Sequence, residues 1–283
     1  MLRIAIASGK GGTGKTTVAT NLAWVIASQN ESVTYVDCDV EEPNGHMFLN
    51  PVIEESTVAK VPYPVINEET CISCGKCAEI CQYRAIIMLA ENPYVSPEMC
   101  HACGGCWLVC PVDAVKPAGR EIGIIEKGKS EHINFIHGKL SIGQILSPPL
   151  IRMVKKHISG DGITLIDCPP GTSCPVLTSV QGADYIILVT EPTPFGLNDL
   201  KLAIDMIGEI GIPIGVFINR ADIGTNDTER YCEQRHIDII GRLNDNRTIA
   251  EAYSQGKIAS KMMPEIRGLY ENLYTTLKRK IHI

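Results

Sequence analysis

Aromatic side chains are scarce in this sequence: Phe, Trp and Tyr make up 5% of its 283 residues. So little ring surface argues against a nucleic-acid platform built on stacked bases. Also missing is any lysine- or arginine-rich run, and the formal net charge is −6. Nothing here would grip a phosphate backbone, so no nucleic-acid partner is expected. No apolar stretch is long enough to span a bilayer, which argues against a membrane partner. The opening residues MLRIAIAS lack the basic segment and long apolar core of a secretory signal. A cytoplasmic location is expected, where thiols stay reduced and cysteine clusters serve metals or catalysis.

What is present reads as an ordinary globular composition, 45% hydrophobic and 20% charged, in a chain long enough for one large domain and a small one. Residues 2–8 form an apolar run that ends in a glycine loop, and residues 15–28 follow with helical periodicity. Residues 33–37 are a second buried-looking strand ending in acid. The alternation then stops, and resumes near Gly162 with GITLIDCPPG, YIILVTEP, a helix over about 196–210, IGVFINR, another helix and IDIIGRL. Continuous apolar strands alternating with helices imply an α/β fold, a parallel sheet with helices on both faces. Residues 121–137 read as a hairpin returning to that sheet, and the C-terminal segment as two further helices. The tail places Leu269, Leu273, Leu277 and Ile281 four apart, which fits a terminal helix lying on the sheet better than a membrane-targeting helix. The expected division is a nucleotide-binding domain over 1–60 and 121–283 with a small inserted domain over 61–120.

The sequence GKGGTGKTT, residues 9–17, fits the phosphate-loop pattern and sits between an expected strand and helix. Gly11, Gly12, Thr13 and Gly14 let backbone N–H groups turn onto phosphate oxygens at a helix N-terminus. Lys15 neutralises phosphate charge, the Thr16 hydroxyl is placed to ligate Mg²⁺, and Thr17 reaches the α-phosphate. A nucleoside triphosphate with Mg²⁺ is therefore the expected ligand, and in-line hydrolysis the expected chemistry.

The insert carries an internal repeat. CISCGKCAEICQYRAII from Cys71 and CHACGGCWLVCPVDAVK from Cys100 align cysteine for cysteine. Both runs follow the C-x₂-C-x₂-C-x₃-C pattern of bacterial two-cluster ferredoxins, in which the fourth cysteine ligates the other cluster. Structural zinc sites use two C-x₂-C pairs with a longer spacer, and disulfides do not suit the compartment. Two [4Fe–4S] clusters are expected. One is held by Cys71, Cys74, Cys77 and Cys110, the other by Cys100, Cys103, Cys106 and Cys81. The first run has Gln82 where proline is usual. Of the other cysteines, Cys38 and Cys232 read as small buried hydrophobes, and Cys168 and Cys174 flank the acidic strand end LIDCPPGTS.

A general phosphate loop has no need of Lys10. The KGGTGKT form resembles the deviant loop of the MinD/ParA/Mrp and nitrogenase-iron-protein ATPases. That resemblance implies a homodimer in which Lys10 reaches across to the partner's nucleotide. It implies that Asp39, in VDCDVEEPN, orients the attacking water, with Asp37 nearby, and that Asp167 is an outer-sphere Mg²⁺ carboxylate. Gly171 would sense the γ-phosphate. Asn219 and Arg220, in FINR, would meet the adenine edge of ATP, and the loop GRLNDN from Gly241, with Arg242 and Leu243, would flank the base mostly through its backbone. The leading expectation is an ATPase that gates electron transfer to a redox or Fe–S client protein, which the chain's likeness to MinD-type ATPases with an inserted ferredoxin domain supports. The alternatives are a cluster-assembly or carrier ATPase and a MinD-like positioning ATPase that uses the insert for docking. The C-x-x-C near the C-terminus that bridges subunits in Mrp-type carriers is absent here, which weakens the carrier reading.

Overall fold

A computed structural model of the chain describes residues 1–281. It divides into two compact units. The first holds Met1–Ser56, Ile125–Lys139 and the chain from Ile151 onward; the second holds Thr57–Ile124 and Leu140–Leu150. The second unit thus takes in all of 61–120 and also residues 140–150, which the sequence reading left with the nucleotide-binding domain.

In chain order the first unit begins with β1 (Leu2–Ala7), α1 (Lys15–Ser28), β2 (Val33–Asp37) and α2 (Gly45–Leu49). A long strand, β3 (Val52–Ile66), leads into α3 (Lys76–Glu79), the hairpin β4 (Ile86–Leu89) and β5 (Asn92–Val95), and α4 (Gly105–Leu108). The strands β6 (Val115–Ser130) and β7 (Ile133–Leu140) turn back through Glu131, which takes φ 51°. Then follow α5 (Pro148–Lys156), β8 (Ile163–Asp167), α6 (Cys174–Val180), β9 (Tyr185–Thr190), α7 (Pro194–Gly208), β10 (Ile214–Asn219), α8 (Asp227–Gln234) and β11 (Asp238–Leu243). The C-terminal segment forms three helices, α9 (Arg247–Ser254), α10 (Ala259–Met262) and α11 (Pro264–Ile281), one more than its periodicity suggested.

The main sheet has nine strands in the order β11-β10-β9-β1-β8-β2-β7-β6-β3. From β11 to β7 every neighbouring pair is parallel. The strands β2, β8 and β9 are buried at every residue, as a parallel sheet covered on both faces demands. The chain leaves the central strand β1 toward β2 and returns on the other side at β9, so a crevice opens beyond the carboxyl ends of these strands. Register carries acids into that crevice: Asp37 on β2 stands opposite Asp167 on β8.

One face of the sheet is packed by α1 and α11. Val18, Leu22 and Ile26 meet Tyr270, Leu273, Tyr274 and Leu277 in a single apolar cluster that also takes Tyr35, Phe135 and Phe217. The terminal helix therefore lies on the sheet, and no described helix is long and apolar enough to cross a membrane.

The sequence reading placed no strand over 52–66. Residues 52–58 of β3 are exposed and carry Glu54 and Glu55, and Pro62 and Pro64 follow. β3 is the last strand of the sheet, where a residue without an N–H is tolerated and charge blunts an open edge.

Candidate functional site

The loop after β1 is shaped by glycines for stated reasons. A Cβ at Gly9 would lie 2.2 Å from the carbonyl oxygen of Asp199. Gly14 takes φ 95°, and a Cβ there would lie 2.5 Å from Asn219 Nδ2. α1 opens at Lys15 with no side-chain cap and no acid in its first turn, which leaves its first N–H groups and the dipole free for an anion. Asn219, at the end of β10, donates Nδ2 to the carbonyl of Thr13 at 2.9 Å. One of its N–H groups thus holds the loop.

A cavity of about 360 Å³ opens over this loop. Gly11, Gly12, Gly14, Lys15, Thr16 and Thr17 line one end, with Asp39, Glu42 and Asn44 beside them. The other end is lined by Asn219, Arg220, Leu243 and the run 244–246, with Ile249, Ala250 and Tyr253 of α9. Several expected site residues stand elsewhere. Thr13 is buried at 2% exposure beneath the loop. Gly171 sits outside the lining and donates its N–H to the carbonyl of Ser8 at 3.1 Å. Arg242 points away and pairs with Glu229 at 3.7 Å; adjacent strand residues face opposite sides, so with Leu243 inward Arg242 must face out. Lys10 is held within its own chain by Glu191 at 3.6 Å. Glu191 also accepts from Arg220 Nη1 at 3.1 Å, and Arg220 Nε reaches Asp245 at 3.3 Å.

The sequence reading missed Glu42, Asn44 and Tyr253, while the run 244–246 lies in the loop GRLNDN that was expected to flank the base. Within that loop Asn246 also caps α9, its side chain accepting from the N–H of Thr248 at 2.8 Å.

Behind the loop lie two fully buried carboxylates. Asp37 is 0% and Asp167 1% exposed. Asp37 accepts from the N–H of Asp39 at 3.0 Å and of Gly45 at 2.9 Å, which fixes the turn that presents Asp39. Burial, then the neighbouring Asp167 charge, pushes Asp37 well above the usual carboxylate range. Asp167 accepts from the Tyr35 hydroxyl at 2.8 Å. Burial raises its proton affinity, and the Lys15 charge with hydrogen bonds from Thr16 and Tyr35 opposes the rise. Its Oδ1 is buried with no partner among the described residues. An orphaned carboxylate oxygen beside Thr16 and Lys15 is the chemistry a hydrated divalent cation would satisfy.

The second unit gathers its eight repeat cysteines around two small cavities. Cys71, Cys74, Cys77 and Cys110 line one; Cys81, Cys100, Cys103 and Cys106 line the other. Each run thus lends its fourth cysteine to the other's cavity. All of these thiols are free. Backbone amides turn onto the sulfurs, from Ala102 to Cys100 at 3.4 Å and from Ala114 to Cys110 at 3.2 Å. Among the described residues no three His, Cys, Asp or Glu side chains converge on a point that a single ion could occupy. Outside this unit Cys38, Cys168 and Cys232 are buried and Cys174 is exposed. Burial pushes the Cys38 thiol up to about 12, which keeps it protonated and inert.

The family described as the CobQ/CobB/MinD/ParA nucleotide binding domain matches residues 4–259. An uncharacterized protein of Methanocaldococcus jannaschii is 33% identical over 279 residues, 96% of this chain and 96% of its own length. An iron–sulfur cluster carrier protein of Pyrococcus horikoshii is 25% identical over 278 residues, 90% of this chain and 77% of that protein. Among solved structures, the cell division ATPase MinD of Pyrococcus furiosus superposes with a TM-score of 0.61 at 20% identity, covering 98% of each chain. The septum site-determining protein MinD of Pyrococcus horikoshii, complexed with Mg-ADP, gives 0.60 at 20% identity and covers 98% of this chain and 95% of that one.

Proposed function

The chain belongs to the CobQ/CobB/MinD/ParA nucleotide-binding family, and from that premise we propose that it is an ATPase whose nucleotide cycle gates electron delivery from two [4Fe–4S] clusters to a partner protein. The phosphates lie on the N–H groups of 11–16, with Lys15 against their charge. The Thr16 hydroxyl would ligate Mg²⁺ and the free Oδ1 of Asp167 would accept from its bound water, and the ion would neutralise phosphate charge. The Asp39 carboxylate accepts a hydrogen bond from the attacking water. The carboxamide oxygen of Asn219 faces the adenine, and Leu243, Asn244 and Tyr253 enclose it. Lys10 leaves Glu191 to meet the nucleotide of a second copy, which makes the working form a homodimer.

One observation carries the redox half of this reading: eight free thiols partition into two sets of four, each completed by the other run's last cysteine. That donor set suits clusters, whose irons are spread over a cube, and it does not suit a single ion. The clusters supply one-electron storage. Cys77 and Cys106 are each only 8% exposed, which favours retained clusters over cargo.

The test is an anaerobic redox titration of the purified protein followed by EPR, with and without MgATP. Two cluster signals whose potential falls on adding MgATP support the proposal. Clusters indifferent to nucleotide sink the gating. The likeness to a protein named an iron–sulfur cluster carrier favours a second reading, in which the clusters are delivered to a client. MgATP would then drive iron from this protein into a cluster-free ferredoxin acceptor, and the absorbance of the donor would bleach.

A further inference from the structure

The two four-cysteine cavities come from a repeat and share a pattern of exposure. Cys74 and Cys103 are exposed, Cys77 and Cys106 buried, and the remaining four lie between. What surrounds them is not repeated. Beside the cavity of Cys81, Cys100, Cys103 and Cys106, the rings of Tyr83 and His101 stack at 3.5 Å with 5° between their planes. The Trp107 indole lies over Gly104, where a Cβ would come within 2.9 Å of it. The corresponding positions at the other cavity are Val112, Ile72 and Ala78.

Charge is unequal as well. Arg120 donates Nη2 to the carbonyl of Cys100 at 3.3 Å and Nη1 to Gln144 Oε1 at 2.5 Å. Its Nε is buried with no partner among the described residues. No arginine reaches the equivalent carbonyl of Cys71 among them. The cation that lines the other cavity is Lys76, which is exposed and has Glu79 one turn further along α3. A half-buried guanidinium held at two points is screened less than a hydrated ammonium beside a carboxylate. Cluster potentials respond to local charge, hydrogen bonds and solvent access. A less screened cation stabilises the more negative, reduced cluster more strongly.

Resting on the two-cluster reading above, we propose that Arg120 makes the cluster of Cys81, Cys100, Cys103 and Cys106 the one of higher potential, so that the two sites are an ordered pair. Tyr83, His101 and Trp107 give this cavity a ring-lined wall that the other lacks, a less polar surround in which the guanidinium charge is screened less.

The experiment is a potentiometric EPR titration of the intact, anaerobically reconstituted protein and of its Arg120→Gln and Arg120→Lys variants, with iron and sulfide counted in each. The wild type is expected to show two separate midpoints. Arg120→Gln lowers the higher one by a tenfold change in its reduction equilibrium, about 59 mV for one electron, and leaves the lower unmoved. Arg120→Lys, which keeps the charge, retains most of the separation. Coincident midpoints in the wild type overturn the proposal without any variant, so a glutamine variant that fails to fold does not shelter it. An Arg120→Gln protein with full iron and unchanged midpoints overturns it too. A wild-type protein that takes up no cluster overturns the underlying reading instead, and the iron count separates the two failures.

Discussion

Burial and the Asp167 carboxylate push Asp39 up to about 6, with Lys15 pulling the other way. An aspartate in the unfolded chain titrates near 3.8. Between those values the folded chain binds the Asp39 proton more tightly than the unfolded one, so this group lowers stability as pH rises through the window. The ionised carboxylate is the form that orients water. At low MgATP, kcat/KM follows the ionisation of the free protein and is expected to fall as pH drops through about 6; a limb near 4 would refute the environment described. Asp39→Asn should flatten the profile at a rate lower by about 100-fold or more. Asn219→Ala removes the hydrogen bond to the Thr13 carbonyl, a loss of about 1 kcal/mol, or about fivefold in affinity. Titration with a fluorescent ATP analogue measures it, and unchanged binding would sink the role given to Asn219. At this scale much of the loop was legible, because a glycine with positive φ and a lysine opening a helix leave a local mark. Arg242 and Leu243 show the limit. The chain order names both, and only the pleat of β11 decides which one faces the cavity.

Among the elements, α6 is the one most dependent on a single distant side chain. Lys155, on α5, donates Nζ to the carbonyls of Thr178, Ser179 and Gln181 at 2.8, 2.7 and 2.6 Å. These are the groups a helix end leaves open. Lys155→Met strands them and should cost about 2 kcal/mol of unfolding free energy, read from denaturant midpoints. A change within error would mean that water caps the helix equally well. The strands β1, β2, β8, β9 and β10 could be read directly, since burial on both faces writes an unbroken apolar run. β3 could not. Its edge position selects for Glu54, Glu55, Pro62 and Pro64, residues that argue against a strand when context is unknown. The loop 241–246 was legible as a base-flanking segment, but Ile249, Ala250 and Tyr253 were not, because they join the cavity only when the fold brings α9 beside it.

Taken whole, the molecule joins a unit with an extensive core to one whose core is small. One buried cluster of the second unit holds Cys77, Ile86, Cys106 and Val115 with partly buried neighbours, and Val61, Ile122 and Leu150 are among its other buried residues. So small a core does not outweigh chain entropy without a further staple. Stripping iron with a chelator is therefore expected to open 57–124 to limited proteolysis, while the fragments that carry the phosphate loop and α11 stay resistant. Equal resistance before and after chelation would show that the unit holds itself together without the clusters. The repeat and the crossed spacing were legible in the sequence. The inclusion of 140–150 was not, because its ties to this unit are distant in the chain: Gln144 accepts from Arg120, and the N–H of Ser141 donates to the carbonyl of Ile122 at 2.9 Å.

The exchange of Cys81 and Cys110 between the two cavities has a statistical consequence. Each vacancy withdraws an anchoring point from the run that frames its neighbour, so an empty site makes the other harder to keep filled. A batch of molecules given half the iron it can hold should therefore not be a uniform crowd of half-filled chains. Native mass spectra should show two populations, one bare and one complete, with few molecules between them.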